Sequence, residues 1–204
     1  MKLTPTLIMI ALACQLNACQ HSDPSATATL KPYATLQELM LSVIDPNVDP
    51  IWNAVKTTIT RDGIEEKAPQ TDEEWKVLRQ HAISLIEAAN LLQLPGRTIA
   101  ADGASTSIDP VEQSPAQIGQ LIARQPADFA SKAQGLQSAA ILTLQAIDAR
   151  DANGLLKAGE ALEHACEACH SAYWYPNDQR PLTLNPLGGV PSAVYARLRG
   201  LAAS

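Results

Sequence analysis

Aromatic and sulfur-bearing residues are scarce in this chain. Its 204 residues include one Phe, three Trp, four Tyr, three Met and four Cys. With 46% hydrophobic residues, only 4% aromatics and abundant Ala and Leu, the composition points to a helical globular domain, one by length. Positive charge is short as well: Lys and Arg number 15 against 21 Asp and Glu, a net charge of −6. No basic stripe exists, which excludes a nucleic-acid surface. No apolar run approaches the roughly 20 residues that span a bilayer. The longest candidate, Leu7 to Leu12, is followed by Gln15 and Asn17. No stretch alternates apolar and polar residues convincingly, so no strand is expected, and there is no internal repeat.

The N-terminus carries Lys2, then the apolar run, then small residues and a cysteine, the order of a secretory signal. Leu16-Asn17-Ala18-Cys19 resembles the lipobox of bacterial lipoproteins, with Asn17 where a small residue is usual. That resemblance implies removal of a signal peptide over 1–18 and acylation of Cys19. Gln20 after the cysteine then favours the outer membrane. Residues 19–32, rich in Ser, Thr, Ala and Pro, read as a lipidated tether. Ordinary cleavage nearby, leaving a soluble secreted protein, stays open. The cysteines divide accordingly: Cys14 leaves with the signal, Cys19 takes the lipid, and Cys166 and Cys169 remain.

Those two belong to Cys166-Glu167-Ala168-Cys169-His170, a C-x-x-C-H pentapeptide, which is the attachment pattern of a c-type haem. Two thiols on one face of a helical turn can each add to one vinyl group of the haem. The adjacent imidazole then lies beneath the iron. Cys166 and Cys169 become the thioether residues of one covalent haem c, and His170 its proximal iron ligand. A thioredoxin-type dithiol would need a βαβ setting, whereas both flanks read as helical. Zinc stays open, because His164 extends the run to H-x-C-x-x-C-H. Those four donors sit on one short segment, while structural zinc sites usually clamp two distant ones. No acid/base or nucleophilic constellation accompanies the motif, so no enzyme is expected.

Along the chain, Thr35-Leu36-Gln37-Glu38 is a capping box, opening a helix with Leu36, Leu39, Met40, Val43 and Ile44 at helical spacing. It is expected to stop before Pro46. Pro50, with Asp49 as cap, predicts a short second segment over 51–58. Another capping box, Thr71 with Glu74, opens a helix whose stripe is Trp75, Leu78, Ala82, Leu85, Ala89 and Leu92, and Pro95-Gly96 ends it. Residues 97–111 read as a long loop. Ser114-Pro115 starts a short helix to about Arg124. Pro126 starts a long one that buries Phe129, Ala133, Leu136, Ala140, Thr143 and Ile147. After a turn over 148–154, the last helix, with Asp151 as its cap, lines up Leu155, Ala158, Leu162, Ala165 and Cys169, which aims the motif into the bundle. The tail beyond Tyr175-Pro176 is rich in Pro, Asn and Gly, with one candidate helix over 192–201.

Four long amphipathic helices with C-x-x-C-H on the last, followed by Tyr173, resemble the class II c-type cytochromes: cytochrome c′ and its low-spin relatives. The resemblance covers about 33–175 and leaves 176–204 as a C-terminal extension. It implies an all-α fold, a left-handed antiparallel four-helix bundle with a C-terminal haem-attachment helix, here with an irregular loop and a tail added. Low-spin members ligate the iron with a methionine of the first helix. Met40, the only methionine outside the leader, is therefore the candidate distal iron ligand. Core packing is its simpler role. His81 is a rival ligand whose simpler role is an exposed or hydrogen-bonded side chain. Trp174 stands where a basic residue is common, which alters the electrostatic setting of His170. The expectation is an electron carrier between redox partner proteins, in the periplasm and anchored to the outer membrane through Cys19. A homodimer is in keeping with the class. The alternatives are a five-coordinate protein that binds nitric oxide or carbon monoxide, and a zinc-stabilised structural lipoprotein.

Overall fold

The computed structural model describes residues 30–179. The expected leader, Cys19 and the candidate helix over 192–201 lie outside the described residues. Helix α1 (Leu36–Leu39) starts where the capping box predicts. The Thr35 hydroxyl accepts from Glu38 N–H at 3.1 Å, and the Glu38 carboxylate accepts from Thr35 N–H at 2.8 Å. Two first-turn donors remain, Leu36 N–H and Gln37 N–H. They reach the carbonyls of Thr98 and Ile99 at 2.8 and 2.9 Å. A distant loop thus completes the hydrogen bonding of the first turn, which no residue of the helix itself could do.

Contrary to the expected stop before Pro46, α1 runs on through a π-helical segment (Met40–Ile44) into α2 (Asp45–Trp52). Proline lacks an N–H and its ring crowds the preceding turn. The π turn, closed by Asp45 N–H to the Met40 carbonyl, is one residue wider than an α turn and accommodates Pro46 without ending the helix. The helix expected over 51–58 is not formed. Ile51 and Trp52 finish α2, and the chain turns into a hairpin of β1 (Lys56–Thr60) and β2 (Gly63–Lys67).

The hairpin corrects the all-α expectation: the fold is mostly helical with a small antiparallel sheet, in which Thr57 pairs with Glu66 and Ile59 with Ile64. Its local signal is β-branched Thr57, Thr58, Ile59 and Thr60 ahead of Asp62-Gly63, with Gly63 at φ +140° where a Cβ would be strained. It escapes an alternation test because most of both strands is exposed, so no buried face imposes an apolar period.

The remaining helices are α3 (Asp72–Leu92), α4 (Pro115–Arg124), α5 (Pro126–Asp148) and α6 (Ala152–Tyr173). Helix α5 packs against α3 and α6, while α2 packs against α3 and touches α6. The apolar stripe of α3 is buried throughout, as are Ala133, Leu136, Ala140 and Ile147 of α5 and Leu155, Ala158 and Leu162 of α6. Ala82, Ala89 and Ala140 have no exposed surface, and their small size lets α3 and α5 approach closely. Thr143, also fully buried, satisfies its hydroxyl on the Ala139 carbonyl at 3.0 Å. The indole of Trp52 donates to the Gly159 carbonyl at 3.1 Å and ties α2 to α6.

Candidate cofactor site

The last turns of α6 place Cys166, Cys169, His170 and Tyr173 at three- and four-residue spacings, hence along one face. Opposite lie the π segment, α4, the start of α5 and the loop after α3. Together they enclose an apolar cleft with two lobes. The larger holds about 850 Å³ of empty space including its open mouth, and Met40, Ile118, Ile122, Cys169, His170 and Trp174 are among its walls. The smaller, about 440 Å³, is bordered by Met40, Leu136, Cys166, Cys169 and His170, among others. Met40, Asp45, Phe129, Cys169 and His170 border both lobes, so these are two parts of one space.

The structure therefore brings together four of the residues singled out from the sequence: Cys166, Cys169, His170 and Met40. The π turn contributes to this. Residues five apart on an ideal α-helix lie about 140° apart around its axis, whereas i to i−5 closure brings Met40 and Asp45 to the same cleft. His81 is elsewhere, its Nδ1 2.9 Å from the side-chain oxygen of Asn47. His164 is exposed on α6 and borders neither lobe. Among the described residues, no three His, Cys, Asp or Glu side chains converge in a way that could hold a metal ion. Cys19 lies outside the described residues.

Burial dominates the electrostatics of the cleft. It pushes the Cys166 thiol up to about 12, with the nearby Asp45 carboxylate adding to the effect. It pushes Cys169 up to about 11, against an opposing pull from Lys132. His170 is driven down to about 4 by the same cause, which leaves its imidazole neutral at pH 7 with a lone pair to offer. Asp45 is raised to about 6 by burial and by Asp49. Tyr173 donates its hydroxyl to Asp128 at 2.8 Å, and Lys132 approaches the other oxygen of that carboxylate at 3.6 Å.

Sequence reasoning missed the cover of the cleft. Ile118 and Ile122, four apart on α4, and Ile99 and Ser107 of the 97–111 loop form part of its wall. The spacing of the two isoleucines was a visible signal, since α4 buries no residue fully and needs somewhere to turn its apolar face. The loop had no such signal. Comparison with models of protein families, with curated proteins and with solved structures finds no match to this chain.

Proposed function

We propose that the chain is an exported c-type haem protein that carries single electrons between redox partners of the bacterial envelope. One observation carries the reading: Cys166, Cys169 and His170 of α6 and Met40 of the first helix border a single apolar cleft. The donor set fits a c-type haem. Two thiols three residues apart suit two thioether bonds, a neutral imidazole suits the proximal position, and a soft thioether suits the sixth. Apolar walls suit a porphyrin face and keep water from it. The haem supplies the one-electron couple; the chain's residues hold it, ligate it and set its surroundings.

The helix packing supports a four-helix bundle, in which the α1 to α2 run, α3, α5 and α6 are the antiparallel members and the hairpin and α4 are additions. A left-handed twist, a homodimer, removal of residues 1–18 and acylation of Cys19 for the outer membrane belong to the same reading. So does the absence of an enzymatic role. The second reading is a gas-binding protein with an open sixth position. It draws on the apolar neighbours Leu36, Leu41 and Phe129, among which Met40 could serve as packing alone.

Expression in a host that matures c-type cytochromes should yield a coloured protein that keeps its haem through acid–acetone extraction. A colourless product with stoichiometric zinc overturns the haem reading. Absorption spectra then separate the two functions. Met40→Leu, which conserves core volume, should convert a low-spin spectrum to a high-spin one and let carbon monoxide bind the reduced form rapidly. A wild-type protein that is already high-spin and binds carbon monoxide readily makes Met40 a packing residue and the chain a gas binder.

A further inference from the structure

The attachment motif runs into Tyr173-Trp174-Tyr175, an aromatic triplet in an aromatic-poor chain. Helix α6 ends at Tyr173, and the N–H groups of Trp174 and Tyr175 both return to the carbonyl of His170, at 2.8 and 3.0 Å. This tight ending folds both rings back onto the imidazole. Trp174 meets it edge to face, centroids 5.3 Å apart and planes at 88°, and Tyr175 meets it at 6.2 Å and 64°. A ligating histidine ordinarily donates its second ring nitrogen to a carbonyl or carboxylate, which fixes the ring about its bond to the metal. Among the described residues the ring of His170 makes no hydrogen bond. Aromatic edges take that place.

Trp174 is itself held from a distant segment. Its indole N–H donates to the Ser107 hydroxyl at 3.2 Å, and that hydroxyl donates to the Gln113 carbonyl at 2.6 Å. The backbone N–H of Gln113 in turn donates to the Trp174 carbonyl at 2.6 Å. The loop ahead of α4 is thereby buckled to the residue that packs on His170. The Tyr175 hydroxyl donates to Glu167 at 2.6 Å, which fixes the second ring against the attachment motif.

Granted the haem reading on which it rests, we propose that Trp174, clamped by Ser107 and Gln113, is the positioning residue for His170. It sets the orientation of the imidazole plane by packing, where a hydrogen bond to the ring would otherwise do so. The 97–111 loop then has a task at the iron although it supplies no ligand.

The test uses the full-length, haem-matured protein and the variants W174A, W174F and S107A, read by electron paramagnetic resonance of the ferric form and by midpoint potential. W174A should split or broaden the ferric signal into more than one ligand orientation and shift the potential. S107A and W174F, which keep an aromatic ring against His170 but lose the indole to hydroxyl bond, should move both readouts in the same direction by less. Should W174A fail to accumulate, S107A and W174F carry the test. Variants that melt earlier but keep the wild-type signal and potential make Trp174 a loop clasp only and overturn the proposal. A wild-type protein without covalent haem, recognised by its colour and iron content before any variant is made, removes the haem reading itself and the proposal with it.

Discussion

Asp45 shows how much a single residue's chemistry depends on what surrounds it. In sequence it is an acid ahead of a proline; in the fold it borders both lobes of the cleft, and burial with the neighbouring Asp49 lifts its carboxyl from 3.8 to about 6. The fold therefore favours the neutral acid. The stability this contributes is fully present below about pH 3.8 and is lost as the pH rises through about 6, because the folded chain then surrenders a proton the unfolded chain has already lost. At about 1.4 kcal/mol per pKa unit, the ceiling is about 3 kcal/mol. Asp45→Asn cannot ionise, so the cofactor-free variant should exceed wild type in urea midpoint at pH 7, and the two should converge near pH 4. Equal midpoints at pH 7 would show that the carboxylate is solvated. Cys166, Cys169 and His170 were legible as candidate ligands because identity and spacing suggest their chemistry, whereas Met40 became a candidate only through the family resemblance. Asp45 was not, because nothing in its identity announces burial.

Among the elements, the long helices and the hairpin carry very different weight. Leu162 of α6 is fully buried, and Leu162→Ala should cost about 2–5 kcal/mol through lost burial and a residual cavity. Ile59 and Ile64 face each other across the hairpin with 65% and 69% of their surface exposed. Replacing both with Thr should cost no more than about 1 kcal/mol, the range of a cross-strand pair, as urea titration of the two sets of variants can check. A large loss from the isoleucine pair would mean that the hairpin is part of the cooperative core. The same contrast governs legibility. Helices α3, α5 and α6 were readable because each buries a face and a buried face imposes a period on the sequence. The hairpin buries little and so leaves no period. The π segment misled for another reason: proline biases its predecessor away from the helix, but one wider turn ahead of it costs less than giving up the packing of Val48 and Ile51, both nearly fully buried.

For the whole molecule, the proposed anchor at Cys19 would decide where the proposed electron carrier works. Each buried CH₂ of an acyl chain contributes about 0.8 kcal/mol to membrane affinity, so several chains on Cys19 should hold the protein stably. Cys19→Ser should move it from the membrane to the soluble periplasmic fraction. A wild-type protein already soluble there leaves secretion and removes the anchor. None of the described helices is long and apolar enough to cross a membrane. The sequence by itself determined the C-x-x-C-H spacing of Cys166, Cys169 and His170, the capping boxes at Thr35 and Thr71, and the helical faces that carry Leu85 and Leu162. Each of these depends on residues within a few turns of one another, where 3.6-residue geometry is sufficient. Only the tertiary structure decided that Met40 and His170 border one cleft and that the 97–111 loop caps the first helix and buckles Trp174. Those outcomes rest on hydrogen bonds and packing between segments far apart in the chain, and a local period carries no record of which distant surface it will meet.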